Sequence, residues 1–259
     1  MTIQHHAPTR EKSAVFSSTV KEELKQRKTA VLVGVLFIIG TVAGVLSGVS
    51  TLPILDNPDY LSKVAENESQ IVLGSLLILV MGFPLAMIPV VMFPIFKKYS
   101  EPLALGAVVF RGVLEAVTYI VLAICSLLLI PLSQAFVQAG TPEASYFQAL
   151  GTLLNQTGYW TEHILALVFT IGAAMLYWLF YKTKLIPNWL SLWGFVGAIL
   201  YFAAPIFNLF DPTRLSLSLG VKWGYLMIPL AIQEMVFALW LIVKGFNQTA
   251  VANLLANER

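Results

Sequence analysis

Residues 103–132 read LALGAVVFRGVLEAVTYIVLAICSLLLIPL, and Arg111 and Glu115 sit inside this apolar run. A helix needs about 20 apolar residues to cross the hydrocarbon core of a bilayer, so the stretch is long enough to span. Charges at bilayer depth are costly; they face a bundle interior, pair with one another, and mark either a structural ion pair or a working site. Sixteen Leu, Ile, Val and Phe residues lie between positions 103 and 130. Each contributes about −0.3 to −0.6 kcal/mol to insertion, against very roughly 5–7 kcal/mol for Arg and Glu together. The two sums are similar, so neighbouring helices must shelter the pair. The stretch therefore predicts an all-α helical bundle rather than a lone anchor.

The remaining composition agrees. Hydrophobic residues make up 58% of the chain and charged residues 12%, where a soluble domain carries about 25% charged residues. Mean hydropathy is +0.78. Six apolar segments follow one another, at about 30–52, 71–96, 103–132, 159–181, 188–209 and 223–243. The expected organisation is a polar, basic tail over 1–29, a six-span membrane domain over 30–245 and a short tail over 246–259. With the N-terminus in the cytoplasm, the inside face collects twelve Lys and Arg, and the outside loops hold only Lys63, Arg214 and Lys222. This asymmetry places both termini in the cytoplasm. The first run is longer than a cleavable signal sequence and has no small-residue cleavage site after it, so it reads as a retained anchor.

Several local features carry structural expectations. Thr19 and Glu22 have capping-box spacing, consistent with a short juxtamembrane helix. Gly40, Gly44 and Gly48 form a ribbon of small residues, suited to close packing within the bundle or, secondarily, to a homo-oligomer. Pro84, Pro89 and Pro94 each remove an amide donor, giving a kinked helix or an unwound, ion-coordinating segment. Residues 133–158 read as a long loop with a short helix after Thr141-Pro-Glu143, and Asn155-Gln-Thr157 matches a glycosylation sequon. A weak echo between residues 96–106 and 181–194 is short enough to be coincidence.

Depth counting brings charges together. At 1.5 Å per residue, Arg111 lies ~12 Å and Glu115 ~18 Å from the cytoplasmic edge, with Glu234 at ~14 Å on the last segment. Arg111 with its planar fork of donors suits both carboxylates. The three carry one surplus negative charge, so either a carboxyl holds a proton or another cation joins them. Thr118 and Tyr119 continue the Arg111–Glu115 face. Glu162 and His163 stand near the outer edge of the fourth segment, where His163, Ala166, Thr170, Ala174 and Tyr177 form a small or polar stripe. With Gln233 they suggest a polar cavity opening outward. The other reading is that Arg111, Glu115 and Glu234 only fix helix packing.

Catalytic and metal templates are missing from the sequence: there is no H-E-x-x-H, no G-x-S-x-G and no phosphate-cradling glycine loop. His163 is the one intramembrane histidine, and Cys125 is the one cysteine and reads as a small buried hydrophobe. His5 and His6 read as solvated tail residues. No cofactor, metal or nucleic acid is expected; the expected partners are the lipid bilayer and a small ligand or ion. An intramembrane enzyme acting on a lipid or quinone, with Glu162, His163 and Glu115 as acid–base groups, is the alternative, and a structural or regulatory membrane partner is a third class.

The chain resembles a bacterial integral-membrane family, that of domain of unknown function 4386. The resemblance lies in Asn57-Pro-Asp-Tyr60, Leu103-Ala-Leu-Gly106, Arg111-Gly-Val-Leu-Glu115, Ser145-Tyr-Phe-Gln148, Leu185-Ile-Pro-Asn-Trp-Leu-Ser-Leu-Trp-Gly194 and, most specifically, the segment from Gln233-Glu-Met-Val-Phe to Lys244-Gly-Phe-Asn247. It covers about 30–250. It implies a multi-span protein of the bacterial cytoplasmic (inner) membrane, and supplies no activity or substrate. Arg111, Glu115 and Glu234 fall within these motifs.

Overall fold

A backbone inside hydrocarbon must satisfy its own amides and carbonyls, and the α-helix does so within one segment. The computed structural model describes residues 8–139, 141–210 and 224–256, with side chains from residue 24 onward except near 140–142 and at 224. All its regular structure is helical: α1 (Pro8–Leu55), α2 (Tyr60–Glu66), α3 (Glu68–Phe96), α4 (Glu101–Ala107), a π-helical run Val108–Leu114, α5 (Glu115–Gln138), α6 (Thr141–Thr183), α7 (Asn188–Phe210), a 3₁₀ turn Gly224–Met227, α8 (Ile228–Val243) and α9 (Gln248–Ala256). Among the described residues, six helices are long and apolar enough to cross a membrane: Leu24–Leu55, Glu68–Phe96, Glu101–Gln138, Glu143–Thr183, Asn188–Phe210 and Tyr225–Val243. The protein is an all-α, multi-pass membrane protein. His5, His6, Asp211, Arg214, Lys222, Arg259 and the side chains of Thr19 and Glu22 lie outside the described residues.

Each span packs against its successor, and α8 returns to α1, so the six form a closed ring. Lys97, Lys98, Lys182, Lys184 and Lys244 gather at one end of the ring, which we term the basic end. Asp56, Asp59, Glu66, Glu68 and Glu143 lie at the opposite, acidic end. The main core fills the middle and the basic half, where Phe96 meets Phe180 edge-on at 4.9 Å, Phe180 meets Phe237 at 5.0 Å, and Phe237 meets Phe37 at 5.4 Å. A smaller cluster of Ile54, Leu61, Val64, Ile71 and Leu129 seats α2 across the acidic end.

At the basic end the ring is tied by hydrogen bonds. The last carbonyls of any helix lack intrahelical partners. Arg27 of α1 supplies donors to those of α8, reaching Leu241 at 3.1 Å, Ile242 at 2.6 Å and Val243 at 3.3 Å. The chain then turns at Gly245, whose φ of +74° suits glycine. Asn247 donates its amide to the Leu185 carbonyl at 2.9 Å and caps α9 through its side chain.

Two expectations about local structure change. The stretch 133–158 is not a loop: α5 runs to Gln138 and α6 begins at Thr141, with Pro142 in its first turn, where a missing amide costs nothing. Hydropathy marks the bilayer rather than the helix, and α6, at 43 residues, extends roughly 65 Å, about twice the hydrocarbon thickness. Within the short C-terminal segment, Phe246, Ala250, Val251 and Leu254 bury against the main core. The juxtamembrane helix is no separate element but the start of α1. Of the two readings of the proline-rich span, the helical one holds, because α3 continues as a helix through Pro84, Pro89 and Pro94.

The glycine ribbon is largely spent inside the bundle. A Cβ at Gly40 would lie 2.5 Å from Leu85 Cγ, and one at Gly44 would collide with Met81, both on α3. Gly48 faces only Leu52 of its own helix, at 3.7 Å. The face offered to an oligomer partner is thus already occupied at two of its three positions.

Candidate functional site

The third span changes helix type where its charges sit. Val108–Leu114 is π-helical, a wider turn that is rare and found frequently at functional sites. The expected winding of this span is α-helical throughout, and the local geometry departs from it. The reason lies in the neighbours. Gly112 brings the wide turn against α3, where an added Cβ would be 3.3 Å from the Ala86 carbonyl oxygen. On the other side, a Cβ on Gly172 of α6 would be 2.5 Å from the Arg111 amide nitrogen. Two glycines thus admit a turn too broad for side chains on both flanks.

From this turn Arg111 projects into the ring. It is 1% exposed, as is Glu115, and Glu234 is 9% exposed. Its Nη1 donates to Glu115 Oε1 and its Nη2 to Glu234 Oε1 at 3.2 Å. The second bond reaches α8, which is not a neighbour of the third span in the ring. The Tyr119 hydroxyl donates to the same Glu115 oxygen at 3.1 Å, and the Phe169 ring covers the guanidinium at 4.4 Å. Thr118 turns instead to its own backbone, donating to the Glu115 carbonyl at 2.7 Å.

Buried polar groups are normally fully paired; these are not. Among the described residues, Arg111 Nε and Glu115 Oε2 have no hydrogen-bond partner, and neither has Gln233 Oε1, although Gln233 Nε2 donates to the Leu190 carbonyl at 3.0 Å. The Tyr177 hydroxyl lies beside Gln233 without a well-formed hydrogen bond. One guanidinium therefore faces two carboxyls in a site nearly closed to water, with acceptor capacity to spare.

A second polar feature lies toward the acidic end. A cavity of about 240 Å³ opens between α1, α3, α5 and α6, with Thr51, Asp56, Ser126, Asn155 and Glu162 among its lining and Ile78 and Leu122 at its inner limit. Partial burial raises the Asp56 carboxyl above the ordinary aspartate range. Of the five residues expected to line one outward-opening cavity, Glu162 does so. Thr118, Tyr119 and Gln233 belong to the buried cluster, and His163 is in neither lining. Its Nδ1 lies 2.8 Å from the Tyr159 carbonyl and so carries the proton, and its ring packs on Tyr159 at 4.3 Å. The remaining Nε2 is buried with no hydrogen-bond partner among the described residues. Among the described residues His163 pairs with no carboxylate, so the expected acid–base grouping with Glu162 and Glu115 does not form.

Tyr177, Phe169 and Gly172 complete the cluster and Asp56, Thr51 and Ser126 the cavity, and sequence reasoning misses all six as site residues. For Tyr177 a usable signal exists, its place in the small-and-polar stripe of α6. The others depend on which helices become neighbours. No group of three or more His, Cys, Asp or Glu side chains able to hold a metal occurs among the described residues.

Neither the curated proteins nor the solved structures give a match to the chain. A family model does: that of Domain of unknown function (DUF4386) matches residues 32–245, from within the first span to just past the last, and takes in Arg111, Glu115 and Glu234. This multi-pass membrane protein is therefore a member of the DUF4386 family.

Proposed function

We propose that the protein is a non-enzymatic component of the bacterial inner membrane whose Arg111–Glu115–Glu234 cluster reversibly binds one small cation, a proton. The observation that carries this reading is the unequal pairing of the cluster: one guanidinium for two carboxyls, with Glu115 Oε2 left unpartnered at 1% exposure. An uncompensated charge held away from water costs several kcal/mol. Two carboxyls that share one site relieve this by sharing a proton. Close packing favours the proton over a larger ion, because Gly172 and Phe169 press on Arg111 from α6 and a proton needs no volume. The basic end faces the cytoplasm in this proposal, on the Lys and Arg asymmetry, and the acidic end faces outward.

Infrared difference spectroscopy on the protein in lipid nanodiscs tests the proposal. A carboxylic-acid band is expected at neutral pH that is absent from the Glu115→Gln, Glu234→Gln double variant and disappears from the wild type at alkaline pH. A folded wild type whose spectrum never differs from that of the double variant in this region would overturn it.

A further inference from the structure

We infer that a cleft at the basic end, between the α6–α7 turn (184–187) and the α8–α9 turn (244–247), binds the phosphate of an anionic phospholipid from the adjoining leaflet. The cleft has a volume of about 410 Å³, with Lys184, Asn188, Trp240, Lys244, Gly245 and Asn247 among its lining. That size falls within the range of small-ligand sites, about 300–1,000 Å³. The bond from the Asn247 amide to the Leu185 carbonyl, at 2.9 Å, ties the two turns together.

Charge is the first observation. The lining carries two lysines and no Asp or Glu. Lys97 and Lys182, at the same end, lie over the Phe93 and Trp178 rings at 6.0 and 4.8 Å. Among the described residues, the ammonium groups of Lys184 and Lys244 have neither an ion pair nor a ring beneath them. Both α6 and α8 end here, and the carbonyl end of a helix repels an anion. At α8 that repulsion is met by Arg27, which donates to the last carbonyls. Its Nη1 would lie 2.8 Å from a Cβ on Gly245, so a third cation backs the cleft. At α6, Thr183 Oγ1 donates to the Leu179 carbonyl at 2.7 Å.

Backbone conformation is the second. Lys184, with φ of +54°, and Gly245, with φ of +74°, are the two left-handed residues among those described, and both line the cleft. Glycine is the usual residue in this conformation after a helix. A lysine there carries strain that glycine would not, and strain of this kind collects at ligand clamps.

The third observation favours a lipid over a free anion. Tryptophan concentrates at the level of the lipid head groups. Trp240, in the lining, meets Trp189 edge-on at 6.4 Å, and Trp189 is half-exposed on α7. Leu192, Leu239 and Val243 continue an exposed apolar surface along α7 and α8, on which acyl chains can lie. Basic pockets between spanning helices on the cytoplasmic side hold anionic head groups.

Native mass spectrometry of the full chain in neutral detergent, with dioleoyl-phosphatidylglycerol or dioleoyl-phosphatidylcholine added, tests the inference. The wild type should retain one phosphatidylglycerol in preference to phosphatidylcholine. Lys184→Gly with Lys244→Gln should weaken that retention about thirtyfold, the product of two lysine contributions of ordinary size at an anionic surface. Lys25→Gln with Lys97→Gln removes the same charge from exposed positions elsewhere and should leave retention unchanged. Lys184→Gly alone should bind more weakly yet melt no lower than wild type, since glycine relieves the strain; simple loss of fold would lower both. Equal retention of the two lipids by the wild type, or wild-type affinity in the Lys184, Lys244 variant, overturns the site. Equal losses in the two double variants would show diffuse attraction to the basic end and overturn it as well. Displacement of the lipid by inorganic phosphate would give the cleft to a free anion instead.

Discussion

The Arg27 guanidinium donates to the Ile242 carbonyl at 2.6 Å, joining the first span to the last. Charged hydrogen bonds contribute about 1.5–3 kcal/mol each, and Arg27 makes three contacts with this helix end. Arg27→Ala should lower the melting temperature in detergent by several degrees. Arg27→Lys should recover part of the loss, because a single ammonium keeps the charge but not the fork. Equal stability of Arg27→Ala and wild type would show the tie to be dispensable.

Arg111 and Glu234 should respond unequally to substitution. Arg111→Met leaves two carboxyls facing each other without their cation, and loss of one partner of a buried pair costs about 3–5 kcal/mol. Glu234→Gln keeps an acceptor for Arg111 Nη2 and removes the surplus charge, so its melting temperature should stay near wild type. Adding Glu234→Gln to Arg111→Met should restore part of the stability. The exchange Arg111→Glu, Glu234→Arg should rescue poorly, since it sets a new carboxylate one turn from that of Glu115 on the same helix face. Thermal unfolding of the four variants decides this.

The glycines separate in the same assay. Gly172→Ala drives a methyl into the Arg111 backbone and should cost about 1–3 kcal/mol through overpacking. Gly48→Ala meets only Leu52, at ordinary contact distance, and should be neutral or gain up to about 1 kcal/mol of helix propensity. A Gly172→Ala protein as stable as Gly48→Ala would contradict the close approach of α6 to the π turn.

Asp56 supplies a pH dependence. Burial raises its carboxyl in the folded protein, so the folded state holds the proton more readily than the unfolded one. Ionised Asp56 is therefore unfavourable at neutral pH, and its contribution to stability improves as pH falls through the raised value. Asp56→Asn should melt slightly higher than wild type at pH 7, with the gap closing on acidification. A gap that widens instead would reverse the assignment.

Particular residues show what is readable from the sequence. The six spans are legible because each is a long apolar run, and insertion depends on that composition. The contact of Arg111 with Glu115 and Glu234 is legible too, since spacing and depth survive without knowledge of helix order. The π turn is not: Val108–Leu114 has the composition of any apolar helix, and its winding answers to Gly172 on another span. Arg27 counts in the sequence as one more cytoplasmic charge, because nothing local reveals that its donors meet carbonyls more than two hundred residues away. The cavity divides from the cluster for the same reason. Its walls come from four helices.

The closed ring also bears on how the protein is made. Spans are synthesised in chain order, and α8 comes last to complete the circle. Until it docks, Arg111 and Glu115 form a balanced, uncharged pair that needs no further ion. Glu234 adds the extra negative charge only with the final span. Ribosome-bound chains ending before α8 should therefore lack the proposed proton site, so that a half-assembled bundle holds no charge imbalance in the membrane while it waits.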